Sequence, residues 1–163
     1  MKENRIEINY KVYDDINELP KEDAWLLNEA RDVTKNAYAP YSNFYVGAAA
    51  KLVNGEIVVV TNQENASYPV GLCAERTLLA SASALYPGVA VDTMAVSYHS
   101  NNGNSNQPIA PCGMCRQYLQ EYEIRVHKPI RLILGGLEGK IFVFEKASQL
   151  LPLGFTSDDL NRD

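Results

Sequence analysis

An α/β fold is predicted for this chain, with a mixed, mostly five-stranded sheet covered by helices and parallel pairing in its middle. Three observations predict it. Segments of helical periodicity alternate with short apolar runs, the pattern of strands joined through covering helices. An Asn54-Gly55 pair separates two such runs, and Asn-Gly suits the tight primed turn of a hairpin. The 163 residues, 46% hydrophobic and 21% charged, have the length and mix of one domain with a packed core.

The elements follow in order along the chain. Ile6, Ile8, Tyr10 and Val12 alternate with polar residues, so residues 1–20 are expected to form a short strand or an arm. A single domain is expected over residues 21–163. Pro20 stands where helices often begin, acidic Glu22 and Asp23 follow, and Trp25, Leu26, Ala30, Val33 and Ala37 recur at helical spacing. That helix is expected over residues 21–38, with Pro40 stopping it. Residues 45–52 and 56–61 form the hairpin. A second helix is expected from near Cys73 to just before Pro87-Gly88, its small residues 79–84 suited to close packing on a sheet. Residues 91–98 read as a strand, residues 100–109 as a polar, Asn-rich loop, and residues 113–122 as a third helix. Two more strands, residues 130–134 and 141–144, flank a glycine loop, and a short helical tail closes the chain. That glycine loop lacks the lysine spacing and the following Ser or Thr of a phosphate-binding loop.

Charge excludes some partners. Fifteen Lys and Arg against twenty Asp and Glu give a formal charge of −5, with no basic stripe to follow a phosphate backbone, so nucleic acid is not an expected partner. No apolar run reaches the roughly 18–20 residues needed to cross a bilayer, so no membrane is expected either. The first residues lack a signal-peptide apolar core, and a cytoplasmic location is expected. The Asn65-Ala66-Ser67 sequon is then a chance match.

Cysteine usage carries the chemistry. Cys73, Cys112 and Cys115 are an odd set, ill suited to a disulfide framework. Each of the two cysteine-bearing helices follows a strand and its loop, and crossover units place such helix starts outside the carboxyl ends of the strands. Cys112 and Cys115, three apart, share a helix face and can grip one ion together, with Cys73 closing in from the neighbouring helix. Thiolate donors favour zinc, and helix N-termini lower thiol pKa values. Structural zinc sites usually close with four protein ligands, whereas three leave an open position. His99 and His127 stand in no ligand motif and are expected to be ordinary surface or loop residues. Glu75, two residues after Cys73, is either a helix-start carboxylate or a proton carrier beside that open position.

Cys73-Ala74-Glu75-Arg76 together with Pro111-Cys112-Gly113-Met114-Cys115-Arg116-Gln117 resembles the signature of the cytidine deaminases, in particular the three-cysteine, small-subunit group. Tyr38-Ala39-Pro40-Tyr41-Ser42-Asn43-Phe44, residues 62–68 and residues 150–155 are similar to that family too, in collinear order over about residues 24–160. The resemblance implies a three-layer α/β/α fold, one zinc ion per subunit on Cys73, Cys112 and Cys115, and a homotetramer. It implies hydrolysis of cytidine and deoxycytidine to uridine and deoxyuridine plus ammonia in pyrimidine salvage, the substrate being a small nucleoside. Glu75 would take a proton from water, deliver it to N3 of the base, and protonate the leaving amino group. Asn62 and Glu64 match positions that hold the ribose hydroxyls, Phe44 a ring that stacks on the base, and Ala74 a backbone contact to the pyrimidine edge. Tyr68 and Phe155 match aromatics that reach a neighbouring subunit's site. Arg76 and Arg116, each after a ligand cysteine, are expected to offset the net −1 charge of zinc with three thiolates.

The chain departs from that pattern in residues 1–20, in Val60-Thr61, Gln63 and residues 69–72, and in the length of the 100–109 loop. These departures bear on substrate range and the pocket rim. Two other enzyme-or-module readings stay open at this point: a deaminase of a cytosine-containing antibiotic of the blasticidin type, and a non-catalytic structural zinc module. A Cys-x-x-Cys redox protein is a third.

Overall fold

The structure, a computed structural model, describes residues 1–160; the last three residues of the expected 21–163 domain lie outside them. The first helix, α1 (Lys21–Val33), follows Pro20 and carries Glu22 and Asp23 in its first turn, where carboxylates meet the positive end of the helix dipole. It ends before the expected residue 38. Thr34 turns its hydroxyl back onto the Arg31 carbonyl (2.7 Å), and a 3-10 turn, Thr34–Asn36, replaces the last helical turn. The Tyr38 N–H then donates to the Asn62 carbonyl (3.2 Å), so the chain leaves the helix to bridge the loop at Gln63.

The hairpin forms as expected from β2 (Phe44–Leu52) and β3 (Ile57–Thr61). Gly55 takes φ +90° in the turn, a conformation open to glycine without strain. Then come α2 (Ala74–Leu85), β4 (Val91–Ser100), α3 (Gly113–Val126), β5 (Arg131–Gly135), β6 (Ile141–Phe144) and a short terminal helix, α4 (Ser157–Leu160). The sheet holds six strands rather than five. The sixth, β1 (Lys11–Tyr13), comes from the N-terminal extension and pairs antiparallel with β6, Val12 opposite Phe142. The order is β1-β6-β5-β4-β2-β3, and the parallel pair is β4 with β5, in the middle as expected.

Strand side chains alternate between faces, and here the two faces feed two cores. Ala48, Ala50, Met94, Val96, Leu132 and Leu134 pack with Leu78, Leu79 and Leu119 under α2 and α3. Ala49, Ala95, Ile133 and Val143 pack with Leu26, Leu27 and Ala30 of α1. The result is three layers. Small residues on β2 let the helices come close: a Cβ on Gly47 would stand 2.0 Å from the Ala30 carbonyl oxygen. Nearby, buried Asp23 takes a two-pronged bond from Arg131 at 2.6 and 2.7 Å, tying α1 to β5.

Helix α3 runs a turn beyond the expected residue 122, because Glu123 does not behave as a surface residue. It is 6% exposed and accepts from the N–H groups of Ile130 (2.8 Å), Ala147 (3.0 Å) and Ser148 (3.3 Å). His127, left-handed at φ +52°, closes the helix, and the Lys128 N–H donates back to the Glu123 carbonyl (3.2 Å). The Asn-rich loop packs against the glycine loop, where the Leu137 N–H donates to the Ser105 carbonyl (2.7 Å) and a Cβ on Gly136 would lie 2.1 Å from that same oxygen. Among the described residues no helix is long and apolar enough to cross a membrane.

Replacing Glu123 with Ala strips the acceptor from the buried Ile130 and Ala147 N–H groups, a loss of about 1–3 kcal/mol for each buried group left unsatisfied. Urea unfolding is expected to show E123A destabilised by about 2–4 kcal/mol, with E123Q, which keeps a carbonyl acceptor, losing clearly less.

Candidate active site

Both cysteine-bearing helices begin at the same edge of the sheet. Cys73 is the N-cap of α2 and Cys112 the N-cap of α3, and neither helix has a side-chain cap bond at that position. Cys115 sits in the first turn of α3, buried beneath Cys112. The three sulfur atoms lie within 4.8 Å of one another, with Cys112 and Cys115 3.5 Å apart. Sulfurs held about 2.3 Å from one tetrahedral ion stand roughly 3.8 Å apart, so the spacing accommodates such an ion with little adjustment. This is the one His, Cys, Asp or Glu cluster with metal-holding geometry among the described residues. Neither histidine joins it; His99 and His127 are both exposed.

The donor set itself tests the fit to zinc. Three soft thiolates at two helix N-termini, with no fourth protein ligand, suit a tetrahedral ion that keeps one position open. The surrounding electrostatics are uneven. The Cys115 thiol donating to Cys73 pulls the Cys73 pKa down to about 5 against burial, with Cys112 and Arg76 adding to the effect. Cys115 moves the other way: acting as donor to Cys73, and buried, its thiol is pushed far up. Arg76 stands beside this cluster. Its Nη2 donates to the Gly71 carbonyl (2.8 Å), while its buried Nε has no partner. An orphaned guanidinium donor next to sulfur has an obvious use once those sulfurs carry full charge.

Glu75, on the first turn of α2, is 7% exposed, and burial raises its carboxyl above the ordinary glutamate range, the Cys73 thiolate adding to the rise. It lines a cavity of about 400 Å³ together with Cys73, Cys112, Phe44, Asn62 and Glu64. Ala74, Tyr68 and Arg76 also border this space. Residues far apart in the chain, from β2, two loops and two helix starts, thus deliver their chemistry to one hollow.

Several expected residues are placed differently from the rest. The Asn62 amide clamps the start of β2, its Oδ1 accepting from the Val46 N–H (2.8 Å) and its Nδ2 donating to the Phe44 carbonyl (2.9 Å). Burial pushes the Glu64 carboxyl up, but the Ser42 hydroxyl together with the N–H groups of Tyr41 (2.9 Å) and Ser42 (3.3 Å) outweighs it and holds the carboxyl below the usual range. Arg116 directs its donors to the Pro111 carbonyl (2.8 Å) and the Leu150 carbonyl (2.9 Å), fastening α3 to the C-terminal segment. Phe155 lies outside the cavity and is 56% exposed; its carbonyl accepts from Gln117 Nε2 (2.8 Å). Tyr68, 75% exposed, meets Tyr41 edge-on at 5.9 Å.

Sequence reasoning missed Tyr98 and the Ile109-Ala110 pair. Tyr98 stacks on Phe44, ring centroids 4.8 Å apart and planes 17° off parallel. The β2–β4 register, Val46 opposite Tyr98 and Phe44 opposite Ser100, puts both rings on one face, and no local signal reports that register. Ile109 and Ala110 line the cavity just ahead of Pro111; their place beside the Pro-Cys motif was the available signal.

The family model described as "Cytidine and deoxycytidylate deaminase zinc-binding region" matches residues 20–128, a span that includes all three cysteines and Glu75. A cytidine deaminase of Halalkalibacterium halodurans is 38% identical over 136 residues, which is 83% of this chain and 96% of that protein. One from Mycobacterium tuberculosis is 33% identical over 141 residues, 85% and 92% of the two chains. The crystal structure of a cytidine deaminase from Burkholderia pseudomallei superposes with a TM-score of 0.70 at 37% identity, over 84% of this chain and 100% of that one.

Zinc binding to metal-free protein at pH 7 is expected to release protons, since Cys115 must give up its thiol proton to ligate, while Cys73, at about 5, is already a thiolate. Affinity should therefore rise with pH, about tenfold per unit for each proton released, and weaken further as pH falls through 5. Calorimetry in buffers of different ionisation enthalpy measures the count. R76A is expected to weaken zinc binding about tenfold or more.

Proposed function

The chain belongs to the cytidine and deoxycytidylate deaminase family, and we propose that residues 21–163 hydrolyse free cytidine and deoxycytidine to uridine and deoxyuridine with release of ammonia. Its cofactor is one zinc ion per subunit. We assign Cys73, Cys112 and Cys115 as the ligands. Zinc in that position supplies the Lewis acidity that makes water a competent nucleophile at neutral pH. One observation carries the reading: a buried glutamate, Glu75, shares a nucleoside-sized cavity with an open three-thiolate cluster.

The chain's own residues then divide the work. Glu75 takes a proton from the attacking water and hands it to N3 of the base, which lowers the barrier to addition at C4. It next carries a proton to the 4-amino group, so that the C4–N bond breaks with ammonia as the leaving group. The raised pKa of Glu75 suits this double duty, because a carboxyl that holds its proton more readily both accepts and donates with less mismatch. Phe44 stacks on the pyrimidine, and Tyr98 behind it holds the ring in plane. The Ala74 backbone reads the pyrimidine edge. Glu64 and the second N–H of the Asn62 amide face the ribose hydroxyls, while the first N–H keeps the Phe44 strand in place. Arg76 offsets the net negative charge of the thiolates through its free Nε, and Arg116 acts from further out by fixing the backbone at Pro111.

The oligomer is read as a homotetramer in which Tyr68 and Phe155 approach a neighbouring subunit's cavity; their exposure in the single chain supports this. Three free cysteines fit a reducing compartment, which supports a cytoplasmic place in pyrimidine salvage. Neither an antibiotic of the blasticidin type as substrate nor an idle zinc module is favoured by the relatives.

E75Q is expected to retain zinc at one equivalent and lose at least about 10³-fold in kcat, in line with the ~10²–10⁴ typical of positioned acid–base groups together with the loss of two proton transfers. The fall in near-ultraviolet absorbance of cytidine measures turnover, and metal analysis measures zinc. Near-normal turnover of E75Q would remove Glu75 from the mechanism. Deamination of cytosine as fast as cytidine would remove the ribose contacts.

A further inference from the structure

The segment ahead of the family match leaves a row of apolar side chains in solvent. The match begins at residue 20, so residues 1–19 lie outside it. Ile6, Ile8, Tyr10 and Val12 are 55%, 42%, 48% and 50% exposed. Their spacing of two puts them on one face of an extended chain, with Arg5, Glu7, Asn9 and Lys11 on the other. Tyr10 continues that apolar face onto the sheet, its ring 5.0 Å from both Phe142 and Phe144. β1 bonds to β6 on one side through Lys11–Tyr13 and is the last strand of the sheet on the other. An apolar, alternating edge of this kind is a template for another strand.

Charge decides which strand. In an antiparallel pairing of two identical arms, residues directly opposite share a face, so a register offset by one residue would set Ile and Tyr against charges. Among the registers that keep apolar against apolar, a twofold axis at Glu7 faces that carboxylate with its own copy. An axis at Ile8 faces Arg5 with Lys11. An axis at Tyr10 sets Ile6 against Asp14. An axis at Asn9 avoids all three conflicts: Lys11 meets Glu7, Tyr10 meets Ile8, Val12 meets Ile6, and Arg5 lies over Tyr13. Lys11 already donates to Glu145, just past the end of β6, at 2.8 Å, and the arriving Glu7 would approach it from the open side.

We propose that the N-terminal arms of two copies of this chain pair antiparallel about a twofold axis at Asn9, joining their six-stranded sheets edge to edge. The contact is isologous, the same residues of the arm serving on both copies. It lies on the β1 edge, away from the cysteine cluster at the starts of α2 and α3, and is independent of the deaminase reading.

Disulfide trapping of the zinc-loaded full chain tests it. Directly opposed residues in an antiparallel pair have Cα atoms about 4.5–5.5 Å apart, within the ~4.4–6.8 Å of disulfides. N9C is expected to give a covalent pair of chains under mild oxidation, at least tenfold more than E3C, whose symmetry mate is far from the axis. Adding E7K to N9C, which places like charges opposite at Lys11, should cut the yield about tenfold. Cytidine turnover per subunit should be unchanged in all these chains, so failure of the arm contact and failure of the catalytic assignment read out separately. Equal trapping of N9C and E3C, or a yield from N9C that E7K leaves untouched, overturns the proposal.

Discussion

Three thiol groups crowded within 4.8 Å are the constraint on which the rest of this structure depends. Sulfur atoms so close cannot all carry negative charge without help, and the fold supplies it from several directions. Cys73 and Cys112 stand at the N-caps of two helices, where the backbone dipoles favour anions. Arg76 lies alongside with a buried, unpartnered Nε. Even so, the thiols titrate far apart, Cys73 falling to about 5 while Cys115 is driven upward. The cluster is poised for a cation. Zinc, the cofactor of the family, has the charge and the ligand preference to relieve it.

Holding two helix starts at that separation is work for the whole sheet. β3 and β4 both run antiparallel to β2, so their carboxyl ends, and with them the starts of α2 and α3, fall at one edge of the sheet. Alanine-rich β2 allows helices to close on both faces, and Gly47 lets α1 approach until its carbonyl would touch any added Cβ. Two buried carboxylates act as fasteners: Asp23 binds Arg131 across the α1 layer, and Glu123 gathers three backbone N–H groups where α3 meets the start of β5 and the turn after β6. Rigidity of this kind matters for the proposed chemistry, because Glu75 must reach the attacking water and two nitrogens of the base in succession from a fixed backbone.

The same geometry explains which parts of the chain were hard to read. Glu123 looks like a solvent-facing residue in sequence, and only the arrival of Ile130 and Ala147 beneath it shows why the helix continues through it. Thr34 and Tyr38 looked helical because Val33 and Ala37 kept the period, yet a bridge to Gln63 competes for that backbone. Arg116, expected to offset the thiolate charge, binds the carbonyls of Pro111 and Leu150, partners that no local pattern names. Tyr98 carried no local signal at all, since its stacking on Phe44 follows from the pairing of strands about fifty residues apart.

By itself the sequence determined the order of elements, the hairpin at Asn54-Gly55, the three-cysteine set with its neighbouring glutamate, and the resemblance to a zinc deaminase. Those features are local: each depends on spacing within a turn of helix, a strand or a short motif, where periodicity and residue chemistry act directly. Only the tertiary structure decided that β1 becomes a sixth strand, that Asn62 clamps the strand carrying Phe44, and that Arg76 rather than Arg116 stands at the sulfurs. Such choices are made by backbone groups and charges that meet across long separations in the chain, where burial leaves each donor and acceptor few partners and no short stretch of sequence names which one it will find.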